Sequence, residues 1–363
     1  MNKEIPINKR NSNIELLRII CMTLILFHHG VVHSNFNFNN GITLNNVFLS
    51  LFIFGGKFGV DVFILISGYF LCKKKFNVEK ILKLYGQLAF YIIFILSIVI
   101  LFFPEELEYR KIIDCLYPFQ GFAVNYLYLY LLSPYVNIFS SNLTKQEFTK
   151  VLVILTVVLS LLPTFLPRFD GFYLLSWMIY VYLIGSYIRI YYSEFEEYKN
   201  KLMIISFASI SLSYVLSGLS FVVLKKTDVG KYLYWFDAHT FYGDSSFFLL
   251  LAAVCCFLYF INIDLGYSNF INTIAKASFG VLLFHDNPFR DVIFTNILQL
   301  SYLQEEAYFP FYFIMAMILI YIFASGIDLL RIKYIEKRMI TFIDIILKKI
   351  MRLVKYYKSR KRG

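Results

Sequence analysis

The stretch "IELLRIICMTLILFHHGVVH", residues 14–33, decides how the whole chain is read. It is long and apolar enough for a helix to cross a bilayer core, which takes about 20 residues. Yet it carries an acid, Glu15, an arginine, Arg18, and three histidines, His28, His29 and His33. Charged and polar groups at bilayer depth are costly unless they pair or face a wet site, so each of them is a functional candidate by default.

The rest of the sequence extends this pattern. Of 363 residues, 59% are hydrophobic and 20% aromatic, well above the roughly 45–50% apolar content of a soluble domain. Further apolar stretches fall near 47–71, 82–103, 122–139, 148–166, 172–190, 202–223, 246–262, 274–290 and 307–330. With 14–34 they predict an all-α integral membrane protein of about ten spans, with one transmembrane domain over 14–330. Residues 1–13 precede it and a basic tail, 331–363, follows it. Basic residues ahead of the first run resemble a signal peptide, but "NFNFNNGITLNN" follows instead of a small-residue cleavage site. The first span is therefore expected to be retained.

Charge sets the orientation, because Lys and Arg collect on the cytoplasmic side. With the N-terminus inside, 26 of the 35 Lys and Arg fall on inner segments and 7 on outer loops, while Arg18 and Lys57 lie within spans. Both termini are thus expected in the cytoplasm. The net charge of +11 follows from this bias and calls for no nucleic-acid partner. The tail mixes apolar and basic residues at helical spacing, which predicts an amphipathic helix on the anionic lipid of the inner leaflet. A disordered basic tail is the alternative. The five cysteines have no metal-type spacing and read as small core residues.

Helix phase separates the three histidines. Eleven residues at about 100° each bring His29 back to the face of Arg18 and about 16 Å further along the axis, whereas His28 points about 80° away from it. Glu15, three residues before Arg18, is close enough for an ion pair. One stripe of acid, arginine and imidazole is suited to holding an anionic donor at one end and moving protons at the other. His28 reads as a packing or interfacial residue and His33 as a solvated one at the outer mouth. A metal on His29 and His33, at i and i+4, is sterically possible, but no Asp, Glu or Cys nearby completes the shell, and no metal is expected. Lys57, Asp61 and Ser67 in the second span, and His285 and Asp286 in the ninth, complete the polar set.

The segment "NIELLRIICMTLILFHH" resembles the first span of the membrane-bound acyltransferase 3 family, whose hallmark is an arginine, ten residues and a histidine, here Arg18 and His29. "GVDVFILISGYFL" (59–71) resembles a second hallmark, with Asp61, Ser67, Gly68 and Tyr69 in the family's places, and "ASFGVLLFHDNPF" (277–289) a third, ending on His285. The middle spans, "YLYLYLLSPYVN" and "FYLLSWMIYVYLIGSYIRIY", look like the branch that decorates bacterial polysaccharides. The resemblance implies transfer of an acyl group, usually acetyl, from cytoplasmic acyl-CoA to a hydroxyl of a lipid-linked or exported glycan. It implies a multi-pass protein of the bacterial plasma membrane and no permanently bound cofactor.

On that footing His29 is the expected base or nucleophile, with Arg18 orienting the donor and Glu15 holding Arg18. Asp61 is expected to pair with Arg18 or orient an imidazole, and Ser67 to donate to the thioester carbonyl, although both also suit helix packing. His285 is supporting or structural. Where many members carry arginines on the cytoplasmic side just before the third span, this chain has Lys73, Lys74, Lys75, Lys80 and Lys83, which suit the CoA phosphates or serve as plain inner-side charge. Lysine lacks the bidentate fork of arginine. The rival classes are a glycan transporter or flippase, a glycan polymerase and a non-catalytic scaffold. The first calls for inverted repeats that are not seen here, and the second for a large outer loop with arginines. The longest outer loop, 224–245, has none. Its aromatics and amides at 232–246 suit either sugar binding or capping of the outer mouth.

Overall fold

The computed structural model describes residues 11–38, 43–116, 121–166, 174–191, 199–226, 241–345 and 349, and all regular structure among them is helical. Helix α1 (Ser12–Val32) starts at Asn11, whose side chain accepts from the Asn13 amide, and stops at His33. The second stretch is split into α2 (Leu44–Ser50), capped by the Thr43 hydroxyl, and α3 (Gly55–Leu71). There follow α4 (Val78–Phe102), a short α5 (Tyr109–Leu116) and α6 (Phe122–Ser141). Helix α7 (Lys145–Thr156) continues through a wider turn, Val157–Leu161, to a last turn, Leu162–Phe165. The remaining helices are α8 (Leu174–Ile190), α9 (Lys199–Lys226), α10 (Phe247–Asn262), α11 (Asn269–Lys276), α12 (Ser278–His285) and α13 (Phe309–Tyr334).

Six of these stretches are long and apolar enough to cross a membrane: Ser12–Val32, Leu44–Leu71, Val78–Phe102, Lys145–Phe165, Lys201–Ser220 and Phe309–Tyr334. Leu174–Ile190 and Phe247–Asn262 are apolar but shorter. The chain is a multi-pass membrane protein. The ninth expected span, 274–290, is not one continuous helix. It is interrupted at Ala277 and stops at His285, because Asn287 turns its side chain onto the Phe284 carbonyl (2.8 Å) and the Phe289 amide (2.9 Å). Pro288, which lies between them, has no N–H to continue a helix. Pro134 inside α6 is accommodated: the Tyr130 carbonyl that it deprives of a partner accepts instead from the Ser133 hydroxyl at 2.8 Å.

Helix α1 sits centrally, against α3, α10, α11, α12 and α13. Its residues Ile14, Leu17 and Cys21 pack into one apolar cluster with α3, α8 and α10, whereas Met22, Ile25, Leu26 and Val31 join a second with α4, α12 and α13. Lipid is as apolar as leucine, so spans associate through close packing rather than hydrophobic burial. The crossing of α3 and α8 shows this. A Cβ on Gly68 would collide with the Tyr182 carbonyl oxygen, and one on Gly185 with that of Leu65.

The start of α1 is tied down by polar contacts. The Ser268 amide donates to the Ser12 hydroxyl (2.8 Å), the Leu265 amide donates to the Asn13 side chain (2.9 Å), and the Asn13 amide group donates to the Ile263 carbonyl. At the other end of the molecule, Lys111 of α5 bridges Asp291 (2.9 Å), Glu108 (3.1 Å) and Glu106 (3.4 Å). Burial alone would lower its pKa, but the hydrogen bonds to Asp291 and Glu108 carry it above the usual lysine range.

The tail is helical over 336–345, and Met339 and Ile343 lie against Gly86 of α4. Glu336 joins it to the bundle, 3.2 Å from Arg331 and 3.8 Å from Lys83. The remainder of the tail expected to be amphipathic lies outside the described residues, except for 349.

Candidate active site

The last turn of α1 meets the end of α12, and there two imidazoles join. His285 is fully buried, with Nδ1 2.6 Å from the Val281 carbonyl oxygen and Nε2 3.1 Å from Nδ1 of His29. A carbonyl only accepts, so Nδ1 of His285 carries its proton. In the neutral ring Nε2 then accepts, and Nδ1 of His29 donates to it. The consequence falls on the far side of His29, where Nε2 is left with a lone pair. His29 is itself only half-buried, so that lone pair belongs to a ring that a substrate can reach.

The other two histidines of α1 are placed differently. His28 donates from Nδ1 to the Ile53 carbonyl at 2.6 Å and lies flat on Gly56, whose lack of a Cβ makes room for the ring. His33, the residue that caps α1, has its ring 5.3 Å from that of His29. Beside it, Asp286 pairs with Arg290 at 2.7 Å. The acid that the sequence lacked near His29 and His33 is therefore present in space: one ligand atom each from His29, His33 and Asp286 lies within 4.8 Å of the others.

At the opposite end of α1, Arg18 stands 3.6 Å from Glu15, as the i, i+3 spacing predicts. Lys80 lies within electrostatic reach of both Arg18 and Lys74, and it sits over the Tyr130 ring at 4.6 Å. Lys73, Lys74 and Lys75 are exposed in the turn after α3. Lys83 pairs with Glu79 (3.1 Å) and Glu336 (3.8 Å), so part of its charge is already spent within the fold. Arg189, by its position in the sequence an inner-side charge, also joins this end. Arg189 donates to the Tyr69 hydroxyl at 2.9 Å and stacks on its ring, and with Lys73 it flanks Cys72.

Asp61 and Ser67 make the helix-packing contacts that were one of their two readings. Among the described residues Asp61 pairs neither with Arg18 nor with an imidazole. Its carboxylate accepts from the Trp177 indole N–H at 2.7 Å, which ties α3 to α8. The Ser67 hydroxyl donates to the Phe63 carbonyl one turn back (3.0 Å), so at its 3.0 Å contact with Tyr126 it is the tyrosine that donates. Both contacts of the hydroxyl are thus made within the helix bundle. Lys57, an unexplained cation within a span, pairs with Asp244. Of the loop at 232–246, residues 232–240 lie outside the described ones.

A buried ion pair was missed entirely. Asp328 accepts from Arg331 Nε (2.7 Å), Gln87 (3.0 Å) and Tyr91 (3.2 Å) and packs directly on Gly280 of the helix that carries His285. An Asp and an Arg three apart at the end of an apolar stretch, "IDLLR", was the available signal.

The chain is thus a bundle of apolar helices around an imidazole pair, with arginine and lysine gathered at the far end of the same central helix. The family model described as an acyltransferase domain, that of the acyltransferase 3 family, matches residues 11–325, and the chain belongs to that family. Neither a curated protein nor a solved structure matches the chain.

Proposed function

We propose that this protein transfers an acyl group, acetyl in the simplest case, from acyl-CoA on the cytoplasmic side to a sugar hydroxyl of a lipid-linked or exported glycan. Its setting on this reading is the bacterial plasma membrane. The observation that supports it best is the chain of hydrogen bonds from Val281 through His285 to His29, which leaves Nε2 of a reachable imidazole basic.

In the proposed reaction the CoA phosphates bind at Arg18, Lys74 and Lys80, with Arg189 and Lys73 beside them. The pantetheine arm runs along α1, and its thioester reaches His29, about 16 Å away along the helix. Nε2 of His29 takes the proton of the acceptor hydroxyl as the oxygen attacks the thioester carbonyl. The C–S bond breaks, and the proton goes to the departing thiolate. As positive charge develops on His29, its Nδ1–H bond to His285 strengthens, which is the part an orienting group plays in a triad. In the alternative order Nε2 attacks the thioester itself, the C–S bond breaks with CoA leaving as the thiolate, and the glycan hydroxyl then takes the acyl group from Nε2 while its proton passes to the thiolate. Glu15 holds Arg18 in place. Asp61 and Ser67 act through packing, since both are occupied within the helices.

The test is to express the wild type and an empty vector in a glycan-producing host and quantify alkali-labile acyl groups on the surface glycan. Acetyl that depends on the protein is expected. Its absence, with glycan export or chain length changed instead, would support a flippase or polymerase.

A further inference from the structure

The cluster of His29, His33 and Asp286 has the composition of a metal site that was dismissed on sequence for want of a third ligand. Its pieces come from two helix ends that the His29 to His285 hydrogen bond holds together. His29 and His33 stand at i and i+4, the spacing at which two imidazoles on one helix face can share an ion. Asp286 caps the helix opposite. Nδ1 of His29 is engaged by His285, so Nε2 is the nitrogen left for a ligand. Metal-binding histidines typically donate their other N–H to a fixed acceptor in this way. Asp286 is likewise held, with Oδ1 on Arg290 at 2.7 Å and the second oxygen available.

We propose that this cluster binds a divalent transition metal, zinc being the best match, and that occupancy inhibits the enzyme reversibly. Two neutral imidazoles and one carboxylate form a borderline ligand set that suits zinc and disfavours the all-oxygen coordination of calcium and magnesium. Around tetrahedral zinc the ligand atoms stand about 3.4 Å apart. From a group spanning at most 4.8 Å, the side chains need to close by about 1.4 Å at most. The fourth position is left to water. The ion would occupy the Nε2 lone pair of His29, the one that acyl transfer needs. The guanidinium of Arg290 opposes the cation, so binding is expected to be in the micromolar range and reversible by a chelator. The inhibitory part rests on the acyl-transfer reading, whereas the binding part does not.

The experiment uses the full-length protein in detergent micelles with any histidine tag removed. Zinc is titrated by equilibrium dialysis with elemental analysis, and cobalt(II) is substituted to read its visible ligand-field bands. Wild type is expected to take up one zinc per chain. His33→Ala and Asp286→Asn are expected to weaken binding at least tenfold and to lose the cobalt bands, while His28→Ala binds as wild type. Thermal melts in the same micelles check that each variant is folded. In parallel, acyl-CoA turnover is measured with and without zinc, each variant against its own zinc-free rate. His33→Ala should need at least tenfold more zinc for half-inhibition. Wild type that binds no zinc, or folded His33→Ala and Asp286→Asn that bind it undiminished, would overturn the site. Zinc that binds at the cluster and leaves turnover unchanged would overturn the inhibition. Wild type that binds zinc but turns over no acyl-CoA would refute the enzymatic reading and with it the inhibition, and keep the site.

Discussion

His29 and His285 form one unit of chemistry, and each should fail in its own way when changed. Removing the acceptor of the Nδ1 proton frees the His29 ring to rotate and to adopt the other tautomer. His285→Ala is therefore expected to lower kcat by about 10- to 100-fold, the usual effect of losing an orienting partner, with little change in KM. His285→Gln, whose amide oxygen still accepts, should recover part of the loss. Steady-state kinetics on the purified variants check both outcomes, and a rise in KM with kcat unchanged would place His285 in binding instead. At the inner end, Arg18→Lys keeps the charge and loses the fork, so KM for acyl-CoA should rise several-fold. At this scale the sequence was legible where helix geometry alone decides. The pairing of Glu15 with Arg18, and the separation of His29 from His28, follow from 100° per residue. What it could not show are partners far along the chain. Trp177 for Asp61, Asp244 for Lys57 and Asp286 for the two histidines are contacts of tertiary packing, invisible to any local period.

Among the elements, α12 is the most informative, because it carries His285 and packs on Asp328 through Gly280. Breaking a buried ion pair by removing one partner is costly, about 3–5 kcal/mol, because it strands the other charge. Arg331→Met should accordingly lower the melting temperature in detergent far more than Lys83→Met, whose ion pairs are exposed. Equal melting temperatures would mean that the Asp328 network carries no net stability. Gly68→Ala tests the α3 to α8 crossing. Its methyl would strike the backbone of Tyr182, and overpacking of this kind costs about 1–3 kcal/mol. A variant that melts as wild type would show that the helices separate freely. The long apolar helices were legible from hydropathy because a span needs only length and composition. The split of residues 274–290 was not, since a window average hides the local effect of Asn287 and Pro288. The division of the second span into α2 and α3 was lost in the same way.

Over the whole molecule, the proposed orientation has Arg18 and the lysine cluster on the cytoplasmic side and His33 and Lys111 on the outer side. A green fluorescent protein fused to the C-terminus should fluoresce, and alkaline phosphatase fused there should stay inactive. An active phosphatase would invert the topology and put the donor site outside. The path along α1 from Arg18 to His29 then defines the central claim, that one imidazole at the end of that path performs the transfer. It is tested by reconstituting wild type, His29→Ala and His28→Ala in lipid vesicles and following the release of CoA thiol from acetyl-CoA in the presence of the acceptor glycan. Loss of His29 should reduce turnover at least 100-fold, while loss of His28, a packing residue one step along the same helix, should leave it within a few-fold of wild type. A His29→Ala protein that is folded and still turns over at the wild-type rate would contradict the account.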